Sequence, residues 1–253
     1  MKRIMLGVLV VLALGGMAVA VDNLPPLDLI GDEVLVELTT GDAVKIHGRF
    51  TNVAAQGARP LILLHMLGRT HRDWFDFAAA ARAKGFCTIA IDLRGHGQSN
   101  RDKSGKKFFW KTMSKGDFRN AVHDVDAAYK YLTQYSHIDM SRVGIVGASV
   151  GANIGVGYAA KHPGAIKAVA LLSPGKNYRG VDAVAAVQAY PGKMLFYSAP
   201  GDSYSYNSSK ALVAMAKDRS LFRDFPGKVH GTRVFAHGGK YMSDILDWLD
   251  RNL

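Results

Sequence analysis

One cysteine in 253 residues, Cys87, has no partner for an internal disulfide, so the fold must rest on packing alone. It lies within the apolar run 86–91 and reads as a small core residue. Acidic residues are also scarce, 21 against 32 lysines and arginines, giving a net charge of +11. Such a balance suits anionic membranes, nucleic acid or acidic polymers. No H-E-x-x-H, paired cysteines or aspartate-rich loop is present, so no metal site is expected. No G-x-G-x-x-G follows the first buried run, and no cofactor is implied. The chain also lacks internal repeats, low-complexity segments and any linker rich enough to divide a domain.

The basic residues are scattered except for a cluster over 101–115 that interleaves Phe108, Phe109 and Trp110. Aromatics among lysines stack on bases or sit at a lipid interface. With no nucleic-acid motif, nucleic acid is not an expected partner; a weak attraction to an anionic membrane surface fits the charge. At the N-terminus, Lys2 and Arg3 precede an apolar run over 4–19 that ends in Ala18-Val19-Ala20, an A-x-A pattern. Residues 1–20 therefore read as a signal peptide, and the protein as exported, periplasmic or extracellular. The small residues before Val21 favour cleavage over retention as an anchor. The remaining roughly 230 residues suit one α/β domain, 21–253.

Segments 33–38 and 44–50 alternate apolar and polar residues around Thr40-Gly41-Asp42, which predicts an antiparallel hairpin. Continuous apolar runs follow at 61–64, 87–91, 143–146, 168–172 and 194–197, with a weaker strand at 221–225. Amphipathic segments at 74–83, 118–132, 152–161, 181–188, 210–217 and 241–249 alternate with them. This order predicts a mostly parallel sheet with helices on both faces. In such a sheet, ligands gather at the carboxyl ends of the strands. There stand His65-Met66-Leu67-Gly68, Asp92-Leu93-Arg94-Gly95-His96-Gly97-Gln98-Ser99, Gly147-Ala148-Ser149-Val150-Gly151, Ser173-Pro174-Gly175, Asp202 and His230-Gly231. The serine between glycines, directly after a strand and before a helix, fits a nucleophile on a strained turn, with the Val150 N–H aimed at an attacked carbonyl.

Over residues 33–253 the chain resembles the α/β-hydrolase family. The resemblance is carried by the His65 loop, the D-x-R-G-H-G-x-S run from Asp92 to Ser99, the Ser149 elbow, and an acid and a histidine in that order. Among its branches the chain is similar to the small dienelactone-hydrolase-like serine esterases, although those proper carry cysteine where this chain has Ser149. The resemblance implies an α/β-hydrolase fold and a catalytic triad of Ser149, Asp202 and His230. Asp182, Asp218 and Asp224 are alternatives for the acid, and a helix-capping turn aspartate is the competing role for Asp202. His237-Gly238 competes with His230-Gly231. The oxyanion hole would take backbone N–H groups from Val150 and, by the family pattern, Leu67. Met66, where most relatives carry glycine, is the alternative second donor. Only 175–193 separate the 168–172 strand from the next, which leaves no room for a large cap.

The expected activity is that of an exported hydrolase cleaving small carboxylic esters through an acyl-enzyme on Ser149. Peptidase or perhydrolase use of the same triad, and a non-catalytic binding protein on the same fold, remain alternatives.

Overall fold

The computed structural model describes residues 33–253. The signal-peptide reading of 1–20 lies outside the described residues. The chain runs β1 (Glu33–Thr39), β2 (Val44–Thr51), β3 (Arg59–Leu64), α1 (Phe75–Ala83), β4 (Phe86–Ile91) and β5 (Arg101–Asp102). It continues through α2 (Lys115–Arg119), α3 (Val122–Leu132), β6 (Gly144–Ala148), α4 (Val150–Lys161) and β7 (Ala168–Leu172). Then come β8 (Asn177–Tyr178), β9 (Val181–Asp182), α5 (Val184–Ala189), β10 (Lys193–Ser198), α6 (Ser203–Ala216), β11 (Ser220–Asp224) and α7 (Lys240–Asn252).

The main sheet has the order β1-β2-β4-β3-β6-β7-β10-β11, with β5 pairing β2. β1 and β2 are antiparallel, as is β2 against β4. From β4 to β11 every pairing is parallel. Alternate residues of the buried strands feed two cores. Ile62 and Leu64 join the core formed with α3, α4, α5 and α6; Leu61 and Leu63 join the one formed with α1 and α7. Burial on both faces explains why these strands read as continuous apolar runs. From β3 the chain steps to β4 on one side, then returns to β6 on the other side of β3. The carboxyl ends of β3 and β6 thus flank a topological switch point, where an open α/β sheet leaves a crevice.

Three elements differ from the sequence reading. The helix expected over 118–132 is divided: α2 is capped by Ser114 and Asp117, which bond each other's backbone N–H, and Asn120 ends it. The segment expected as one helix over 181–188 begins as β9, paired with β8 through a turn at Arg179 and Gly180, both at positive φ. The helix expected from 210 begins at Ser203. Its first two turns, Ser-Tyr-Ser-Tyr-Asn-Ser-Ser, are poor helix formers. They are held by burial of Ser205, Ser208 and Ser209 and by a 2.6 Å bond between Ser209 Oγ and Ser198 Oγ of β10.

The D-x-R-G-H-G-x-S run is scaffold. Buried Asp92 accepts from the His71 N–H at 2.7 Å, His71 Nδ1 at 2.8 Å and the Gln98 N–H at 3.0 Å, tying three segments together. Arg94 is clamped between Asp124 and Asp42. Ser99 Oγ accepts the His47 N–H of β2. Gly97 is fixed by crowding, since a Cβ there would lie 2.0 Å from Asp92 Oδ2.

Candidate active site

Ser149 sits between β6 and α4 at φ 54°, ψ −118°, a region that a side-chain-bearing residue rarely adopts. The flanking glycines make the turn possible. A Cβ at Gly147 would come within 2.5 Å of the Gly151 carbonyl oxygen, and one at Gly151 within 2.5 Å of the Leu64 oxygen and 2.6 Å of the His65 oxygen. The start of α4 is thereby pressed onto the loop that follows β3, which brings the elbow and that loop together at the switch point. Val150 is the first residue of α4, so its N–H has no carbonyl a turn earlier in the helix to bond.

The loop after β3 is set by His65, which is fully buried. Its Nδ1 faces the Met66 carbonyl at 2.8 Å, and its Nε2 faces the Leu93 N–H at 2.9 Å. Those partners require a neutral ring that donates from Nδ1 and accepts at Nε2. Burial, reinforced by the neighbouring His96, pushes the His65 pKa down to about 4. The Met66 carbonyl also accepts the Arg69 N–H at 3.1 Å. In a trans peptide the N–H points opposite to the C=O, so the Leu67 N–H is directed away from the two donors that hold Met66. Among the described residues no group accepts a hydrogen bond from the Leu67 or Val150 N–H. The Met66 side chain is buried in the core shared with α1 and α7.

A pH dependence of stability follows from the buried His65 ring. Its folded pKa is depressed below the unfolded value of about 6.5, so stability is full above that pH and falls as pH drops toward 4. The loss is on the order of 2–3 kcal/mol by pH 4.5. Urea unfolding at pH 7.5 and 4.5 should show it, and His65→Gln, though less stable, should give a flatter profile. Equal pH dependence in the two proteins would contradict the neutral buried ring.

Asp202 stands at the start of α6, yet its side chain makes no capping bond to that helix. Its Oδ2 lies 2.6 Å from His230 Nδ1 instead. The capping alternative is therefore not what the carboxylate does. His237 is exposed on the surface, and His230 is the histidine paired with Asp202. Asp182 Oδ1 caps α5 by accepting the Val184 N–H, and Asp224 ends β11.

The His230 loop is anchored from three directions. The Gly231 N–H donates to buried Ser173 Oγ at 2.9 Å, and Thr232 Oγ1 donates to Asp73 Oδ2 at 2.8 Å. A Cβ at Gly231 would sit 3.3 Å from Ala148 Cβ, the residue before Ser149, and 3.0 Å from Met66 Sδ. The histidine loop thus packs directly on the elbow and on the loop after β3. Among the described residues, no hydrogen bond joins Ser149 Oγ to His230. Tyr178 extends from the β8–β9 hairpin; its hydroxyl is 2.8 Å from Ser205 Oγ, and its ring stands perpendicular to the His230 ring at 6.3 Å. Ser205 Oγ is 3.4 Å from His230 Nδ1. Burial raises the Tyr178 pKa to about 12, so the phenol is neutral and can donate.

Ser173 and Ser205 were given no role by sequence reasoning. The serine directly after β7 and the one in the first turn beyond Asp202 both carried a usable signal, because each follows the carboxyl end of a parallel strand.

Residues 59–203 match the sequence profile of the α/β hydrolase fold. A monoacylglycerol lipase of Mycolicibacterium smegmatis is 32% identical over 136 residues, which is 53% of this chain and 42% of the lipase. The chain spans about two fifths of the length of the curated relatives it matches, which include a Mycobacterium tuberculosis protein 29% identical over 147 residues. Among solved structures, an esterase of Pyrococcus furiosus superposes with a TM-score of 0.67 at 19% identity, over 92% of this chain and 97% of the esterase. A dienelactone hydrolase of Anabaena variabilis gives 0.69 at 17% identity, over 88% and 99%. At such identities the likeness to the solved structures is one of fold.

Proposed function

Because the chain belongs to the α/β-hydrolase family, we propose that it is a serine hydrolase cleaving small carboxylic esters through an acyl-enzyme on Ser149. The observation that carries this reading is the 2.6 Å Asp202–His230 pair, anchored by a loop that packs against Ala148 beside Ser149. A serine hydroxyl is a weak nucleophile at neutral pH and needs a base in reach. His230 takes that role. Asp202 holds Nδ1 in its protonated state, which leaves Nε2 free to accept the Ser149 proton and stabilises the cation that results. Catalytic hydrogen bonds are often long or misaligned without substrate, so a resting site without a Ser149–His230 hydrogen bond is compatible with this role.

Attack by Ser149 Oγ on the ester carbonyl carbon forms the new C–O bond while the proton passes to His230. The carbonyl oxygen gains the negative charge, which the Val150 and Leu67 N–H groups stabilise. Collapse expels the alcohol, protonated by His230, and leaves the acyl group on Ser149. A water molecule, deprotonated by His230, then releases the acid and restores the serine. No metal or cofactor enters these steps.

Tyr178 belongs in this account through Ser205, whose hydroxyl it meets at 2.8 Å and which lies 3.4 Å from His230 Nδ1. Tyr178→Phe removes one neutral hydrogen bond and leaves the ring packing, so kcat should fall about three- to tenfold with KM little changed. A loss confined to KM would assign the tyrosine to substrate binding instead.

Between β7 and β10 stand only the β8–β9 hairpin and the six-residue α5, so among the described residues no large cap is inserted between these strands. We infer short acyl chains as the first substrates. A panel of nitrophenyl esters of rising chain length, assayed beside peptide amides, tests this. Turnover should be fastest for short acyl esters, and preference for amides over every ester would make the protein a peptidase.

A further inference from the structure

Nearly half of the net positive charge lies in one segment. Residues 101–119 hold seven lysines and arginines against two aspartates. Both acids serve local structure: Asp102 accepts from the Ser104 and Lys106 N–H groups, and Asp117 caps α2. Lys103, Lys106, Lys107 and Lys111 are all exposed. Among the described residues none of these four is within 4 Å of a carboxylate oxygen, whereas Lys45, Lys84 and Lys130 all are.

The cationic segment is held in a defined shape. Arg101 bridges Lys107, the Phe108 N–H donates to the Asn100 carbonyl, and the Trp110 N–H donates to the Gly95 carbonyl. Phe108 packs on the core, and Trp110 stacks on His96 with the rings 6° from parallel. Phe109 between them is turned outward and is 51% exposed, although the backbone on both sides is fixed. Phe109 and Lys111 border a cavity of about 300 Å³ that is also lined by Gly68 and Arg69, the residues following Leu67. An aromatic ring held out among lysines without a carboxylate partner, Lys111 lying over the Trp110 ring, is the arrangement of an interfacial anchor, in which the ring enters the headgroup region while the cations meet anionic lipid.

We propose that the 101–115 loop docks this protein on an anionic lipid bilayer, with Phe109 inserted and Lys106, Lys107 and Lys111 against the phosphates. Docking there turns the loop after β3 toward the membrane. The proposal stands on this surface alone and does not depend on the reaction at Ser149.

The test is co-sedimentation of the full chain with phosphatidylcholine vesicles, with or without about a third phosphatidylglycerol. Any contribution of the apolar run over 4–19 is common to wild type and variants, so the comparison between them reads the loop. Partitioning should be stronger on the anionic vesicles, and replacing Lys106, Lys107 and Lys111 together by glutamine should weaken it about 100-fold. Phe109→Ser should weaken it about tenfold. Thermal unfolding of each variant verifies that it is folded. Brominated phosphatidylglycerol should quench Trp110 emission in wild type and much less in Phe109→Ser. Equal partitioning onto both vesicle types, or no effect of the lysine changes, would overturn the proposal. So would wild-type partitioning by Phe109→Ser, or equally tight binding to soluble polyphosphate, because either result makes the segment a general polyanion site.

Discussion

Ser149→Ala is expected to lower kcat for a short nitrophenyl ester by about 10⁵–10⁶-fold, with a thermal midpoint close to that of the parent. Nothing else at the rim can substitute for the lost oxygen. Tyr178 is a half-buried neutral phenol with its pKa raised to about 12, and Ser205 is buried and already engaged with Tyr178. The turn itself survives the change, because its shape is imposed by Gly147 against the start of α4 and by Gly151 against the Leu64 and His65 carbonyls. What activity persists should reflect the two backbone donors and binding alone. A loss of less than about a hundredfold would move the nucleophile elsewhere.

Asp202→Asn comes next in magnitude, with kcat lowered about 10³–10⁴-fold and KM nearly unchanged. The substitution keeps size and reach but replaces an acceptor with a group that can donate to His230 Nδ1. The ring then prefers the tautomer protonated at Nε2, which cannot take a proton from Ser149. Ser205 Oγ, 3.4 Å from Nδ1, is an uncharged hydroxyl and cannot stabilise the imidazolium in place of the carboxylate. Wild-type kcat in this variant would show that the pair is structural. The two changes act on one proton path, so the double variant should be little worse than Ser149→Ala.

Much of this arrangement was legible in the chain. The parallel strands announced themselves because burial on both faces leaves no polar residue to interrupt Leu61–Leu64 or Ala168–Leu172. The elbow was legible because its backbone can be built only with glycine on both sides of Ser149. Asp202 stood out by its place after a buried strand, although sequence could not tell a helix cap from a carboxylate paired with a histidine; the structure shows the pairing with His230 and no capping bond. What sequence hid was tertiary. The β8–β9 hairpin turns through Arg179-Gly180, a pair without the usual Asn-Gly signal. Without that hairpin, the place of Tyr178 against Ser205 could not be foreseen. The early start of α6 was hidden too, since a serine-rich turn becomes helical there through its packing on β10.

The central claim is that Ser149 is the activated hydroxyl of the site. Its most direct test is to treat the folded chain with a fluorophosphonate and locate the adduct by peptide mass spectrometry. The account predicts a single modification per chain, on Ser149, that is absent from Ser149→Ala and much slowed in Asp202→Asn. A folded chain that takes no label, or carries it on another residue, would contradict it.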